Sequence, residues 1–270
     1  MNLKRQSNSD ASFFTHLVVR REDMKIIIYT ITVLFSLIYS SAFAQSFTSD
    51  KTRVNLIELY TSEGCSSCPP ADDWLGKLQH DPRLWSEFIP IAFHVDYWDY
   101  IGWKDPFAKP QFSSRQRQYS QQNNLSSVYT PGMLLNGQEW TSWRRQSNLE
   151  YGPAKSAGKL TVNLDDDSVS ASYQPLRKSN SSIVLNIAIL GFNLKVDVKT
   201  GENSGRILIH DFVVIGYQKI AMDLSSEGLY TVSAANLPNP SVKSSTKALV
   251  TWINDKNNLS PIQVTGGWIN

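Results

Sequence analysis

The only two cysteines of the chain are spaced as Cys65-Ser66-Ser67-Cys68, between an apolar run, residues 54–60, and a segment, residues 71–80, where Trp74, Leu75 and Leu78 recur at helical spacing. The order strand, C-x-x-C, helix places both sulfurs at a helix start. Unpaired backbone N–H groups and the positive end of the helix dipole there favour a thiolate over a thiol. Lowering a cysteine pKa from about 8.5 to about 7 takes roughly 2 kcal/mol, within reach of those groups plus the Ser66 and Ser67 hydroxyls. Glu63, Asp72 and Asp73 oppose that shift if their side chains point inward. A bridge across so short a loop restricts the unfolded chain by only about 2 kcal/mol, against about 4.7 kcal/mol for a hundred-residue loop. The pair is therefore a poor staple, and redox exchange is the favoured reading over a structural disulfide or two buried thiols.

Downstream, residues 88–95 read as a second strand, 96–110 as a polar and aromatic connection, 111–122 as a helix and 133–135 as a short strand closed by an Asn136-Gly137 hairpin turn. Alternating strands and helices predict an α/β unit over 45–155. Gly152, Pro153, Ala157 and Gly158 then interrupt the pattern. Beyond them, the runs 160–164, 183–190, 207–217 and 248–253 predict an all-β, sandwich-like domain over 156–270.

Ahead of these units, Lys25 is followed by a thirteen-residue, mostly apolar stretch, 26–38, and by Ser40-Ser41-Ala42-Phe43-Ala44. Basic, apolar and small residues in that order form a secretory leader over 1–44, with 1–23 a start-site overcall if Met24 is the initiator. The apolar part falls short of the roughly 18–20 residues of a membrane span, so a membrane is met only through an uncleaved leader. Export predicts a periplasmic or secreted protein, where disulfides persist. The chain's 26 basic and 24 acidic residues include five and three in the leader, so the mature part carries 21 of each sign. A neutral chain provides no long-range attraction for nucleic acid.

The order strand, C-x-x-C, helix, strand, helix, Thr130-Pro131, strand resembles the thioredoxin fold. More closely, ELYTSEGCSSCPPADDWLGKL (58–78), FHVDYWDYIGWKDPFAKPQFSSRQRQY (93–119), VYTPGMLLNG (128–137) and GENSGRILIHDFVVI (201–215) resemble a family of exported bacterial proteins of unknown function with a thioredoxin-like fold. The resemblance to the thioredoxin fold implies that Cys65 is an exposed attacking sulfur, Cys68 the resolving one and Pro131 a cis-proline, whereas the closer family implies fold and export more than activity. Thr130 would offer backbone groups to an extended substrate segment, as an added strand pairs with a sheet edge. Alone, Pro131 reads as a trans-proline opening a strand. Against thioredoxin, Gly64 replaces a Trp, Ser66-Ser67 replace Gly-Pro, and Leu59 replaces a buried proton-accepting Asp. Glu58, next to Leu59, points to the opposite face by strand alternation. Gly132 stands where the closer family leads us to expect a larger polar residue.

The function expected is thiol–disulfide exchange through Cys65 and Cys68, with Thr130 and Pro131 binding substrate. Its direction is open. The expected partners are a protein or small-molecule thiol or disulfide and a partner reductase or oxidase, with no cofactor. Two alternatives stand beside it. One is a copper or zinc carrier using Cys65 and Cys68 with His94 or Met133, although a second C-x-x-C and an H-x-x-x-H are missing. The other is a secreted binding protein with a structural disulfide. The aromatic residues Tyr97, Trp98, Tyr100, Trp103, Phe107 and Phe112 read as a local core before a substrate platform. Arg115, Arg117, Arg144 and Arg145 read as a solvated face, and Asp165 to Asp167 as a turn, because the ligand pattern of a calcium loop is missing.

Overall fold

Two near-continuous apolar runs, NLIELYT and FIPIAFH, form the parallel strands β2 (Asn55–Thr61) and β3 (Phe88–His94), in register from Asn55 opposite Phe88 to Thr61 opposite His94. Strands covered on both faces carry such sequences, because neither side meets water. The computed structural model describes residues 44–145, 149 and 155–269. The expected leader, apart from Ala44, lies outside the described residues, and among these no helix is long and apolar enough to cross a membrane.

Helix α1 (Pro69–Lys77) follows the cysteines and runs into a 3-10 turn at Leu78–His80. Helix α2 (Pro110–Gln121) also begins on a proline, whose missing N–H is no loss in a first helical turn. Strand β4 (Gly132–Leu135) returns antiparallel to β2 and turns at Asn136 and Gly137, both at positive φ, into β5 (Gln138–Glu139). The elements predicted over 45–155 thus form with shifts of at most three residues at their ends.

The second half is built differently from the separate sandwich domain expected. Strands β8 (Ile183–Gly191), β11 (Val213–Ala221), β14 (Lys247–Asp255) and β15 (Gln263–Ile269) continue the first sheet, giving the order β15-β14-β8-β11-β3-β2-β4-β5. The join is parallel, at Val213 opposite Ala92, reinforced by the Ala92 N–H donating to the Phe212 carbonyl at 2.9 Å. The other layer is an antiparallel sheet of β1 (Gln45–Thr48), β6 (Lys159–Asp165), β7 (Ser168–Gln174), β13 (Tyr230–Asn236) and β12 (Asp223–Leu224), in that order. A face-to-face β arrangement is therefore present, but one of its layers belongs to both halves. Asp166, at positive φ, makes the β6–β7 turn expected at the aspartate run.

Side-chain alternation explains the sharing. Along β8, Ile183, Leu185 and Ile187 pack against Leu160, Val162 and Tyr230 of the five-stranded sheet, while Ala188 and Leu190 join the core of β2 and β3. Helix α2 lies over this second core: Phe112 meets Phe93 at 4.9 Å and Tyr217 at 6.0 Å between ring centroids, and Tyr217 stacks on Trp252 at 5.8 Å. Each such pair adds about 0.5–1.5 kcal/mol to the burial of the rings. A core spanning the 155–156 boundary therefore couples the halves.

The run 207–217, expected as one strand, is two. Phe212, at φ 58°, breaks it into β10 (Ile207–His210) and β11, and β10 pairs instead with β9 (Leu194–Asp197) in a two-stranded hairpin. The break frees the loop 198–206 to reach the end of β2.

Candidate functional site

The cysteines occupy the turn that carries the chain from β2 into α1. The Cys65 N–H donates to the Ser62 carbonyl at 3.1 Å, and the Cys68 carbonyl receives the Ala71 and Asp72 N–H groups at 2.8 and 3.2 Å, making Cys68 the cap of α1. The two are joined as a disulfide with Cα atoms 5.4 Å apart. Pro69 and Pro70 fill the first two helical positions, so two N–H groups that an ordinary helix start offers to a thiolate are missing. The Ser67 hydroxyl, 3.3 Å from the Cys65 sulfur, is the neighbouring polar group in its place.

Neither sulfur is open to solvent. Cys65 is 1% exposed and Cys68 0%, which corrects the expectation of an exposed Cys65. Loop 198–206 is held against the cysteine turn. The Asn203 side-chain amide donates to the carbonyls of Glu63 (2.8 Å) and Cys65 (3.0 Å), the Glu202 carboxylate accepts the Ser66 N–H at 2.9 Å, and the Thr200 hydroxyl donates to the Gly102 carbonyl. Ser66 and Ser67 remain exposed at the rim.

The Thr130–Pro131 peptide is cis. Because β4 runs antiparallel to β2 with Gly132 opposite Tyr60, the residues just before β4 and those just after β2 lie at the same end of the sheet. Trp98 spans the gap: its indole N–H donates to the Thr130 hydroxyl at 2.7 Å, and a β-carbon on Gly64 would stand 2.9 Å from Trp98 Cβ. A bulky residue at 64 would collide with Trp98 Cβ and carbonyl and with Ile101 Cδ1, which occupy that space. Gly132 is constrained in the same way, since a β-carbon would meet the Tyr129 carbonyl at 2.9 Å and Gln116 Nε2 at 3.0 Å. Of the aromatic stretch, Phe107 and Phe112 are buried core, Tyr97, Trp98 and Trp103 are half-buried, and Tyr100 is exposed.

Beneath the turn lies a buried polar cluster that the motifs did not reveal. His94 ends β3, His210 ends β10, Asp72 lies in the first turn of α1, and Glu63 and Asp105 close the group; all are at most 9% exposed. His94 Nδ1 is 2.7 Å from Asp105 Oδ2, and the same oxygen accepts the Glu63 N–H at 2.9 Å. The Trp103 indole donates to Glu63 Oε2 at 2.7 Å, and the Thr61 hydroxyl donates to Asp72 Oδ2 at 2.9 Å. Burial opposes charge on His94, yet Asp105, with Asp72 and Glu63 beyond, raises its pKa above the ordinary imidazole value. Burial alone would push the Asp105 carboxyl up, but the His94 ring and hydrogen bonds from Glu63 and Phe107 hold it below the usual carboxylate range. Burial raises Asp72, against the pull of both histidines and Thr61. Asp72 and Glu63 therefore do point inward, whereas Asp73 is exposed.

The alternative of a thiolate carrier draws on Cys65, Cys68 and His94 or Met133. His94 gathers with Asp72 and His210 instead, and Met133 is a core residue opposite Leu59 in the β2–β4 pair. Glu58 faces away from the cysteines, as alternation requires, and accepts hydrogen bonds from Arg115 Nε at 3.0 Å and the Tyr119 hydroxyl at 2.5 Å. Arg115 is thus buried, not part of a solvated face; Arg117, Arg144 and Arg145 are exposed as expected. One signal for the cluster was available: FIPIAFH and ILIH are both apolar strands that end in histidine.

The profile of a protein family described as "Protein of unknown function (DUF1223)" matches residues 56–254. The fold is similar to that of protein AGR_C_4864 from Agrobacterium tumefaciens, with a TM-score of 0.52 and 21% identity over 82% of this chain and 96% of the other. It is also similar to that of HBP35 of Porphyromonas gingivalis, with a TM-score of 0.55 and 15% identity over 81% of this chain and 76% of the other. No curated protein matches the chain.

Proposed function

This chain belongs to the DUF1223 family, and on that premise we propose that it is an exported thiol–disulfide oxidoreductase whose redox unit is thioredoxin-like and works through Cys65 and Cys68. The observation that carries this reading is the juxtaposition, at one end of β2, of a disulfide on a helix cap and a cis Thr130–Pro131 peptide. In the reducing direction the Cys65 thiolate attacks a client disulfide, releasing one client thiolate and leaving a mixed disulfide. The Cys68 thiolate then attacks the Cys65 sulfur, releasing the second client thiolate and closing the bridge. The oxidising direction runs the same steps backwards. Either direction needs a second thiol or disulfide partner, a reductase or an oxidase, to restore the starting state.

Loop 198–206 adds a condition to this chemistry. With the sulfurs covered, a client reaches Cys65 only after the Asn203 and Glu202 contacts open, and the same client segment then lies beside Thr130. A Cys68→Ser variant should therefore accumulate mixed disulfides with exported client proteins through Cys65, and Cys65→Ser should accumulate none. Equal, background-level capture by both variants would leave the second reading, a structural disulfide in a secreted binding protein. What favours that second reading is the burial of both sulfurs.

A further inference from the structure

We propose that the buried group formed by Asp72, His94 and His210 is a binding site for a divalent transition-metal ion of the zinc type, separate from the cysteine chemistry. The nitrogen and oxygen atoms these residues offer lie within 4.8 Å of one another. The centre of three such atoms is at most about 2.8 Å from each, against about 2.0–2.2 Å for a zinc–nitrogen or zinc–oxygen bond, so side-chain shifts of up to about 0.8 Å would close the site. Two imidazoles and a carboxylate suit zinc or a neighbouring first-row ion, not magnesium or calcium, which take oxygen ligands throughout.

Orphaned atoms point to a ligand. Buried polar groups in native proteins are nearly always paired. Here His94 Nε2, His210 Nδ1 and His210 Nε2 are buried without a hydrogen-bond partner, as is Glu63 Oε1. His210 Nε2 stands 3.2 Å from Glu63 Oε1, but without hydrogen-bond alignment, and His210 Nδ1 stands 4.0 Å from Asp72 Oδ1. His94 Nε2 and His210 Nδ1 are the ring atoms free to coordinate. Three carboxylates and two imidazoles packed out of water also favour a dication on charge.

The surroundings match what holds a metal-ligating residue in place. His94 turns its other nitrogen to Asp105, and Asp72 is fixed through its second oxygen by Thr61. A carboxylate hydrogen-bonded behind a ligating imidazole, as Asp105 is behind His94, sets its tautomer and raises its basicity. A cleft of about 180 Å³, lined by Asp72 and His210 and walled by Pro69 and Arg206, provides an entry path. Three protein ligands leave a fourth coordination position for water.

The full mature chain, stripped with a chelator and titrated with Zn²⁺ by calorimetry and with Co²⁺ by absorption spectroscopy, tests the site. We expect one ion per chain and the visible bands of four-coordinate Co²⁺ without a thiolate charge-transfer band. His210→Gln should weaken Zn²⁺ binding by about 100-fold or more, and Asp105→Asn by about 10–100-fold, with near-ultraviolet circular dichroism reporting the fold of each. The double variant Cys65→Ser/Cys68→Ser should bind as tightly as wild type. Folded wild-type protein that takes up no Zn²⁺ or Co²⁺ at millimolar concentration overturns the proposal. So does binding that survives His210→Gln in a folded protein, or that disappears with the cysteines. The wild-type Co²⁺ spectrum decides between nitrogen–oxygen and sulfur ligation even if a variant fails to fold.

Discussion

Two groups of buried charge sit on the same central strands and are completed in different ways. Around Glu58, in the middle of β2, the carboxylate accepts from Arg115, Tyr119 and Tyr60, and the guanidinium lies 5.2–5.5 Å from the ring centroids of Phe93, Tyr119 and Trp252. Within this group Arg115 Nη1, enclosed by aromatic faces, and the Trp252 indole nitrogen are the atoms without a hydrogen-bond partner, while every carboxylate oxygen is paired. Around His94, just past the end of the same strands, four ring and carboxylate atoms have none. Pairing is what a network needs if its work is to hold α2 across both halves of the sheet. Unpaired atoms beside a cleft are what a site needs if its work is to receive something. Equal burial thus serves opposite purposes, and the hydrogen-bond count separates them.

The sharpest break of this comparison is Arg115→Met. It strands a fully buried Glu58 carboxylate and should cost about 3–5 kcal/mol in chemical denaturation; a loss below about 1 kcal/mol would mean the Glu58 group is not structural. Tyr119→Phe removes a hydroxyl that donates to Glu58 and lies 3.0 Å from the Leu259 carbonyl. It should cost about 1–3 kcal/mol by the same measurement. Asn203→Ala removes both amide contacts over the cysteine turn and should cost about 1–2 kcal/mol, while dithiothreitol should reduce the disulfide about tenfold faster. An unchanged reduction rate would show that loop 198–206 does not gate access. At the small end, Asp72→Asn in metal-free protein should change stability by less than about 1 kcal/mol, because burial already disfavours the Asp72 charge. A loss as large as that of Arg115→Met would make the two groups alike.

Local chemistry made much of the first half legible. Trp74, Leu75 and Leu78 at helical spacing and Asn136-Gly137 between apolar runs each act over a few residues, and the elements they predict are present. The long-range joins were not legible. The link between β3 and β11 rests on Val213 opposite Ala92, and nothing in either sequence names its partner. Phe212 in a left-handed conformation broke an apolar run that reads as one strand, since a bulky residue seldom adopts positive φ. His94 and His210 are far apart in sequence and meet only because that break turns β10 away. The contacts that hold the cysteine turn were hidden for the same reason, because they come from Glu202 and Asn203.

The reduction potential of the Cys65–Cys68 pair tests the central claim most directly. The protein spanning residues 45–270 would be equilibrated in glutathione buffers of graded ratio and its thiols counted by alkylation. Reversible interconversion with a midpoint above about −300 mV is the result predicted for an exchanging pair. A bridge that stays closed throughout, with a potential below about −300 mV, would contradict the account and leave the disulfide as a structural link.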